Sequence, residues 1–166
     1  VFAQGGYNVW LNDLKEEILS RAMSLIASNL GTQAELGFLE KGQQASILKR
    51  IQTSTNIAEA GKNADFVIEA IIEDAAAKKE MFQTLDRICP PEAILASNTS
   101  YMDIFQFVET QRPEKVLITH WFAPPHIVPL VEIVRGPETA PEVVEAVKAL
   151  LIKLGKKPII LSKFLP

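Results

Sequence analysis

The sequence is short of most features that announce a function outright. It has one cysteine, Cys89, in 166 residues, which excludes an internal disulfide and any site built from several thiolates. It has only two histidines, His120 and His126, so imidazole chemistry has few places to sit. No apolar run approaches the roughly 18 residues of a membrane span. Basic residues number 17 against 20 acidic ones, and no basic face stands out, so nucleic acid is not an expected partner. The eight glycines contain no Gly-x-Gly-x-x-Gly spacing. There is no internal repeat and no low-complexity segment. What remains is ordinary globular material, 48% hydrophobic and 22% charged, of a length that suits one domain. A lone cysteine is compatible with a reducing compartment, and a cytoplasmic protein is expected.

The apolar pattern alternates between strand and helix signals. Tyr7 to Leu11 reads as a short strand, with Asn12-Asp13 as a turn and helix cap. Leu14, Ile18, Ala22, Leu25 and Ile26 recur at helical spacing. A polar helical stretch is expected from Thr32 to about Lys41, a short helix over Gln44 to Arg50, a weak strand over Ile51 to Thr53 and one helical turn at Ile57 to Ala60. Phe66 to Ile71 is nearly continuous in apolar residues, as in a parallel strand covered on both faces. Asp74 then caps a helix to about Ile88, stopped by Pro90-Pro91. Strands are expected at Ala93–Ala96, Val116–His120, Leu130–Val134 and Pro158–Leu161, with helices near Met102–Phe107 and from Pro141 to about Leu154. Short βα alternation of this kind implies an α/β fold with a doubly wound, mostly parallel sheet. Lys78-Lys79 and Lys156-Lys157 read as solvated faces, and Cys89 as structural. Both ends look like the middle of something: Val1 to Gly6 resembles the last turn of a helix, and Lys163 to Pro166 a strand running out. An excerpt of a longer chain is expected.

Three features point to chemistry. Asp13 closes the first strand, where a carboxylate can accept ribose hydroxyls or simply cap the next helix. Polar residues gather at the carboxyl ends of apolar strands: Glu73 after Phe66–Ile71, Ser97-Asn98-Thr99-Ser100 after Ile94–Ala96, and His120 after Val116–Thr119. Open α/β sheets bind ligands outside those ends, although turns there are polar in any case. Finally, a tight proline loop at Pro124, Pro125 and Pro129 allows the strands around it to pair antiparallel. Glu132 then reaches one ring nitrogen of His120, fixes its tautomer and leaves the other as a general base. The plainer alternative is a structural histidine beside a surface glutamate. His126 reads as a loop residue.

Together these residues resemble the L-3-hydroxyacyl-CoA dehydrogenases, specifically their NAD-binding domain. The resemblance rests on Asp65 to Asp74, Ile94 to Ser100, Arg112 to Lys115, His120-Trp121-Phe122-Ala123-Pro124-Pro125 and Pro129-Leu130-Val131-Glu132, and covers essentially the whole chain. It implies a Rossmann-type domain over residues 1–166, lacking the first strand and its glycine-rich turn. It also implies that His120 is the catalytic base, Glu132 its dyad partner, and Ser100 a serine touching both substrate and nicotinamide. Asp13 would bind the adenosine ribose, which selects NAD. Glu73 and Lys78 would be cofactor-side contacts, Ala70 and Ile71 would supply backbone under the cofactor, and Asn98 counts with them. The substrate would be an L-3-hydroxyacyl-CoA, as in fatty-acid β-oxidation or butyrate-type metabolism. A helical domain after Pro166 would complete the acyl-CoA site and make a homodimer. No metal is implied. One departure stands out: Ala123 occupies a place where family members usually carry asparagine. It leaves two other readings open, a dehydrogenase of a non-CoA β-hydroxy acid and a nucleotide-binding protein that has lost catalysis.

Overall fold

Strand and helix alternate because buried β-branched runs are interrupted by capping residues and prolines at short intervals. A computed structural model describes residues 1–40 and 42–164. The end of the expected polar helical stretch, Lys41, lies outside the described residues, as do Leu165 and Pro166. The chain forms two compact units, Val1–Gly61 and Lys62–Pro166.

In the first unit, β1 (Val9–Asn12) and β2 (Ile51–Ser54) pair in parallel, with Val9 opposite Ile51 and Asn12 opposite Ser54. Between them run α1 (Glu16–Glu35) and α2 (Gln43–Leu48), and α3 (Ile57–Gly61) closes the unit. Its core is Ala3, Leu30 and Ile47, packed by Val9, Ile26, Leu39, Leu48 and Ile51. The expected buried stripe of α1 is corrected. Leu19 and Leu30 are buried, whereas Leu14, Ile18 and Leu25 are exposed. Apolar residues lie on more than one face of this helix, and periodicity alone does not choose the face that packs. The helix is continuous to Glu35, and Gly37 at φ +79° turns the chain where the separate polar helix was expected. Asp13 is not the helix cap. Lys15 holds that position, and the Asp13 carboxylate accepts the Lys15 N–H at 3.3 Å.

The second unit is a five-stranded sheet in the order β3-β4-β5-β6-β7. Its strands are β3 (Phe66–Glu69), β4 (Ile94–Ser97), β5 (Val116–Trp121), β6 (Leu130–Arg135) and β7 (Lys157–Leu161). All neighbours are parallel except β5 and β6. The crossovers carry α4 (Ala75–Ile88) and α5 (Pro141–Lys153). Asp74 caps α4 by accepting the Ala77 N–H at 2.8 Å, and Pro141 opens α5. Val143, Val144, Val147 and Leu151 of α5 pack on Ala96, Leu117, Val131 and Ile133 of the sheet. Arg112 locks the end of α4: its guanidinium pairs with Asp86 at 2.9 Å and donates to the carbonyls of Asp86 and Pro90. The fold is the expected α/β arrangement with a mostly parallel sheet.

Three expectations change here. β3 stops at Glu69 and not at Ile71, because the Glu69 carboxylate accepts the Ile71 N–H at 2.7 Å and turns the backbone out of the ladder. The helix near Met102–Phe107 is only a 3-10 turn over Ile104–Gln106. Lys78 and Lys156 are buried, 1% and 8% exposed, and are no part of a solvated face. A buried ammonium needs carboxylate or carbonyl partners, and both lysines have them.

Candidate active site

The register of β5 on β6 sets His120 directly opposite Glu132. Cross-strand partners in an antiparallel pair hold their Cβ atoms within about 5.5 Å on the same face. The side chains therefore meet, and His120 Nδ1 lies 2.9 Å from Glu132 Oε2. Both groups are partly open to solvent, with side-chain exposures of 19% and 31%. Phe122, just past the end of β5, flanks the imidazole with ring centroids 4.6 Å apart. With Nδ1 bound to the carboxylate, Nε2 makes no hydrogen bond to any described residue.

Asn98 follows β4 and ties it to β5 beside this pair. Its side-chain oxygen accepts the Trp121 N–H at 2.9 Å, and its own N–H donates to the Glu69 carbonyl at 2.7 Å. The amide nitrogen of its side chain has no hydrogen bond among the described residues. Two residues later Ser100 is exposed, and its backbone N–H donates to Glu73 at 2.8 Å. Glu73 also accepts the Thr99 hydroxyl at 2.9 Å and faces the Lys78 ammonium at 3.3 Å. Burial alone pushes the Glu73 carboxyl up, but the Ser100 N–H, the Thr99 hydroxyl and Lys78 together hold it below the ordinary carboxylate value. Ala70 is exposed and Ile71 half-buried at the turn after β3. Asp13 belongs to the first unit, half-buried just beyond β1.

The loop joining β5 to β6 contains a cis Ala123-Pro124 bond and the half-buried His126. Lys156 holds this loop from below. Its ammonium donates to the carbonyls of Pro125 and Val128 and lies 5.5 Å from the Trp121 ring centroid. Loss of water around the ammonium depresses its proton affinity. Cys89 is buried, and burial pushes its thiol up. Among the described residues no cluster of three His, Cys, Asp or Glu side chains is arranged to hold a metal ion. No helix there is long and apolar enough to cross a membrane.

With this geometry in hand, comparison with known proteins is decisive. Residues 1–164 match the family described as 3-hydroxyacyl-CoA dehydrogenase, NAD binding domain. The chain belongs to this family. It is 40% identical over 163 residues to a probable 3-hydroxybutyryl-CoA dehydrogenase of Bacillus subtilis strain 168, covering 98% of this chain and 56% of that protein. Its fold superposes on the crystal structure of 3-hydroxybutyryl-CoA dehydrogenase from Escherichia coli K12 with a TM-score of 0.92 at 37% identity, covering 96% of this chain and 34% of that one. A diketoreductase acting on dicarbonyl compounds matches with a TM-score of 0.88 at 26% identity, over 99% of this chain and 59% of that one. The chain thus spans about half the length, or less, of these relatives.

The donor set fits a 3-hydroxyacyl-CoA dehydrogenase NAD-binding domain. An exposed serine, an unspent asparagine amide and turn backbone at Ala70 and Ile71 stand at the strand ends of the second unit. These are the groups a dinucleotide's amide and hydroxyls require. Lys78 is placed differently from expectation. Its ammonium is buried between Glu69 at 2.8 Å and the partly exposed Glu73 at 3.3 Å. Sequence reasoning missed Glu69, which is 4% exposed. The signal was available: a single carboxylate inside Phe66-Val67-Ile68-Glu69-Ala70-Ile71 must find a partner once buried. It also missed the Lys156 clamp, for which adjacent lysines in a sequence give no sign.

Proposed function

We propose that residues 1–166 form the NAD-binding domain of an enzyme that oxidises an L-3-hydroxyacyl-CoA to the 3-oxoacyl-CoA. The observation that carries this reading is the His120–Glu132 contact at 2.9 Å, in a chain of this family, with Nε2 left unbonded. His120 Nε2 takes the proton of the 3-hydroxyl as C3 is oxidised. Glu132 holds the Nδ1–H, keeps the ring in one tautomer and stabilises the positive charge that the ring acquires. The Ser100 hydroxyl orients the substrate oxygen, and Asn98 holds the chain beside His120 while offering its free amide to the cofactor. Asp13 accepts the ribose hydroxyls and disfavours a 2′-phosphate. Ala70 and Ile71 lend backbone beneath the cofactor, Glu73 braces the serine segment, and Lys78 supports Glu73 from within. NAD, when bound, supplies the hydride acceptor; the protein supplies base, orientation and field. A cytoplasmic location and a homodimer belong to the same reading.

The likeness to a diketoreductase favours a second substrate class, a dicarbonyl or β-hydroxy compound without CoA. Loss of NADH absorbance with acetoacetyl-CoA, measured on the full-length gene product, separates the two. Rapid loss is the expected result. Turnover only with free dicarbonyl compounds selects the second reading. NADH binding without turnover on either overturns both and leaves a nucleotide-binding protein that has ceased to catalyse.

A further inference from the structure

The ends of β3 and β4 hold an ion triad that the proposed proton transfer does not use. Lys78 and Glu69 are each 1% exposed at the side chain and 2.8 Å apart, and the same ammonium lies 3.3 Å from Glu73. Buried charges are costly unless closely paired and hydrogen-bonded. Here every oxygen is engaged. Glu69 accepts the Ile71 N–H at 2.7 Å and the Ser97 hydroxyl at 2.6 Å as well as the lysine. Glu73 gives its oxygens to the Thr99 hydroxyl and the Ser100 N–H. The Thr99 hydroxyl in turn accepts the Met102 N–H at 3.0 Å, which extends the brace along the segment that presents Ser100.

The two carboxylates divide the work. Glu69, anchored on β3 and β4, carries most of the lysine's charge at the shorter distance. Glu73 is thereby free to hold the serine segment. We infer that Glu69 is a positioning residue that sets Ser100 through Lys78 and Glu73. This rests on the reading of Ser100 as the substrate-orienting serine. Deprived of Glu69, the ammonium has one carboxylate left and closes on it. The ammonium lies on Oε2, which the Thr99 hydroxyl shares, and drawing the carboxylate toward it pulls Oε1 away from the Ser100 N–H, since a charged donor wins against neutral ones. Removing the lysine as well abolishes the competitor.

The test is residue-resolved amide hydrogen exchange on the full-length gene product as wild type, E69Q and the double variant E69Q/K78M. The glutamine side chain of E69Q keeps an oxygen for the Ile71 N–H, and its NH2 can donate to Ser97 Oγ once that hydroxyl turns, so the charge is withdrawn with the contacts to β3 and β4 kept. In E69Q, exchange at Ser100 is expected to accelerate about tenfold, the scale of one charge-assisted hydrogen bond. Exchange at Leu117 in the β5 core should not change. In E69Q/K78M, Ser100 exchange should return to within about threefold of wild type, although a second native charge is gone. kcat/KM should follow the same order, lowest in E69Q and partly recovered in the double variant. A merely structural pair gives the reverse: amides accelerate together, and the double variant is the worse one. Unchanged Ser100 exchange in E69Q, or no recovery in the double variant, overturns the inference. Should E69Q not fold, Glu69→Asp, which keeps the charge but draws it back from Lys78, carries the same expectation. Wild-type protein that fails to oxidise NADH with acetoacetyl-CoA would overturn the proposed function and leave the exchange data to judge Glu69 alone.

Discussion

Glu132→Gln separates what the dyad carboxylate does by charge from what it does by geometry. The amide oxygen introduced by E132Q can still accept the His120 Nδ1–H across the same strand register, so ring orientation and tautomer survive. What is lost is the stabilisation of the imidazolium formed as the proton leaves the substrate. Two unit charges about 4 Å apart interact by about 4 kcal/mol at an effective dielectric constant of 20. Glu132 is 31% exposed and so in contact with water, and solvent screening removes about half of that attraction. About 2 kcal/mol remains, which corresponds to roughly 30-fold in turnover. Glu132→Ala removes the hydrogen bond too and should cost about 1 kcal/mol more, or roughly fivefold again. The assay is NADH consumption with acetoacetyl-CoA under single-turnover conditions, with substrate affinity measured separately. An E132Q rate within about threefold of wild type, far short of the 30-fold worked from the charge, would refute the electrostatic argument. Equal losses in E132Q and E132A would show that charge alone matters and orientation does not.

Other consequences are as open to measurement. His120→Ala should lower kcat by about 10²–10⁴ with little change in NADH affinity, and a loss below tenfold would remove the histidine from the role of general base. The Glu73 carboxyl is held below its ordinary value of 4.5, so the folded chain binds fewer protons there than the unfolded one. That stability is present above about 4.5 and lost as pH falls through the folded value. Glu73→Gln should therefore flatten the acid limb of the stability-pH curve, as followed by urea unfolding, and an unchanged limb would count against the effect. Lys156→Met leaves the Pro125 and Val128 carbonyls without their donor. It should cost about 1–3 kcal/mol in stability and speed amide exchange at Ile127 and Val128; exchange confined to β7 would show that the clamp does not act on the loop.

Much of this molecule is written in local pattern. The runs Ile94–Ala96, Val116–Thr119 and Leu130–Val134 are apolar enough to be strands wherever they sit, and Asp74, Pro90 and Pro141 mark helix ends by their own chemistry. Strand-helix alternation then implies a parallel sheet, and the proline loop after His120 admits the one antiparallel exception. For that reason His120, Glu132, Asn98 and Ser100 could be named as candidates before any contact was known. Burial and pairing belong to the tertiary structure. Helical periodicity was compatible with several faces of α1, and packing against Ala3 and Ile47 chose Leu30 over Leu25. Two lysine pairs look alike on the page, yet Lys78 is enclosed by two carboxylates and Lys156 by two carbonyls and an indole. A charge's fate depends on which distant groups the fold brings within about 3 Å of it. Sequence spacing carries no record of that distance, so the residues of the site were named by sequence and their mutual support was decided by the fold.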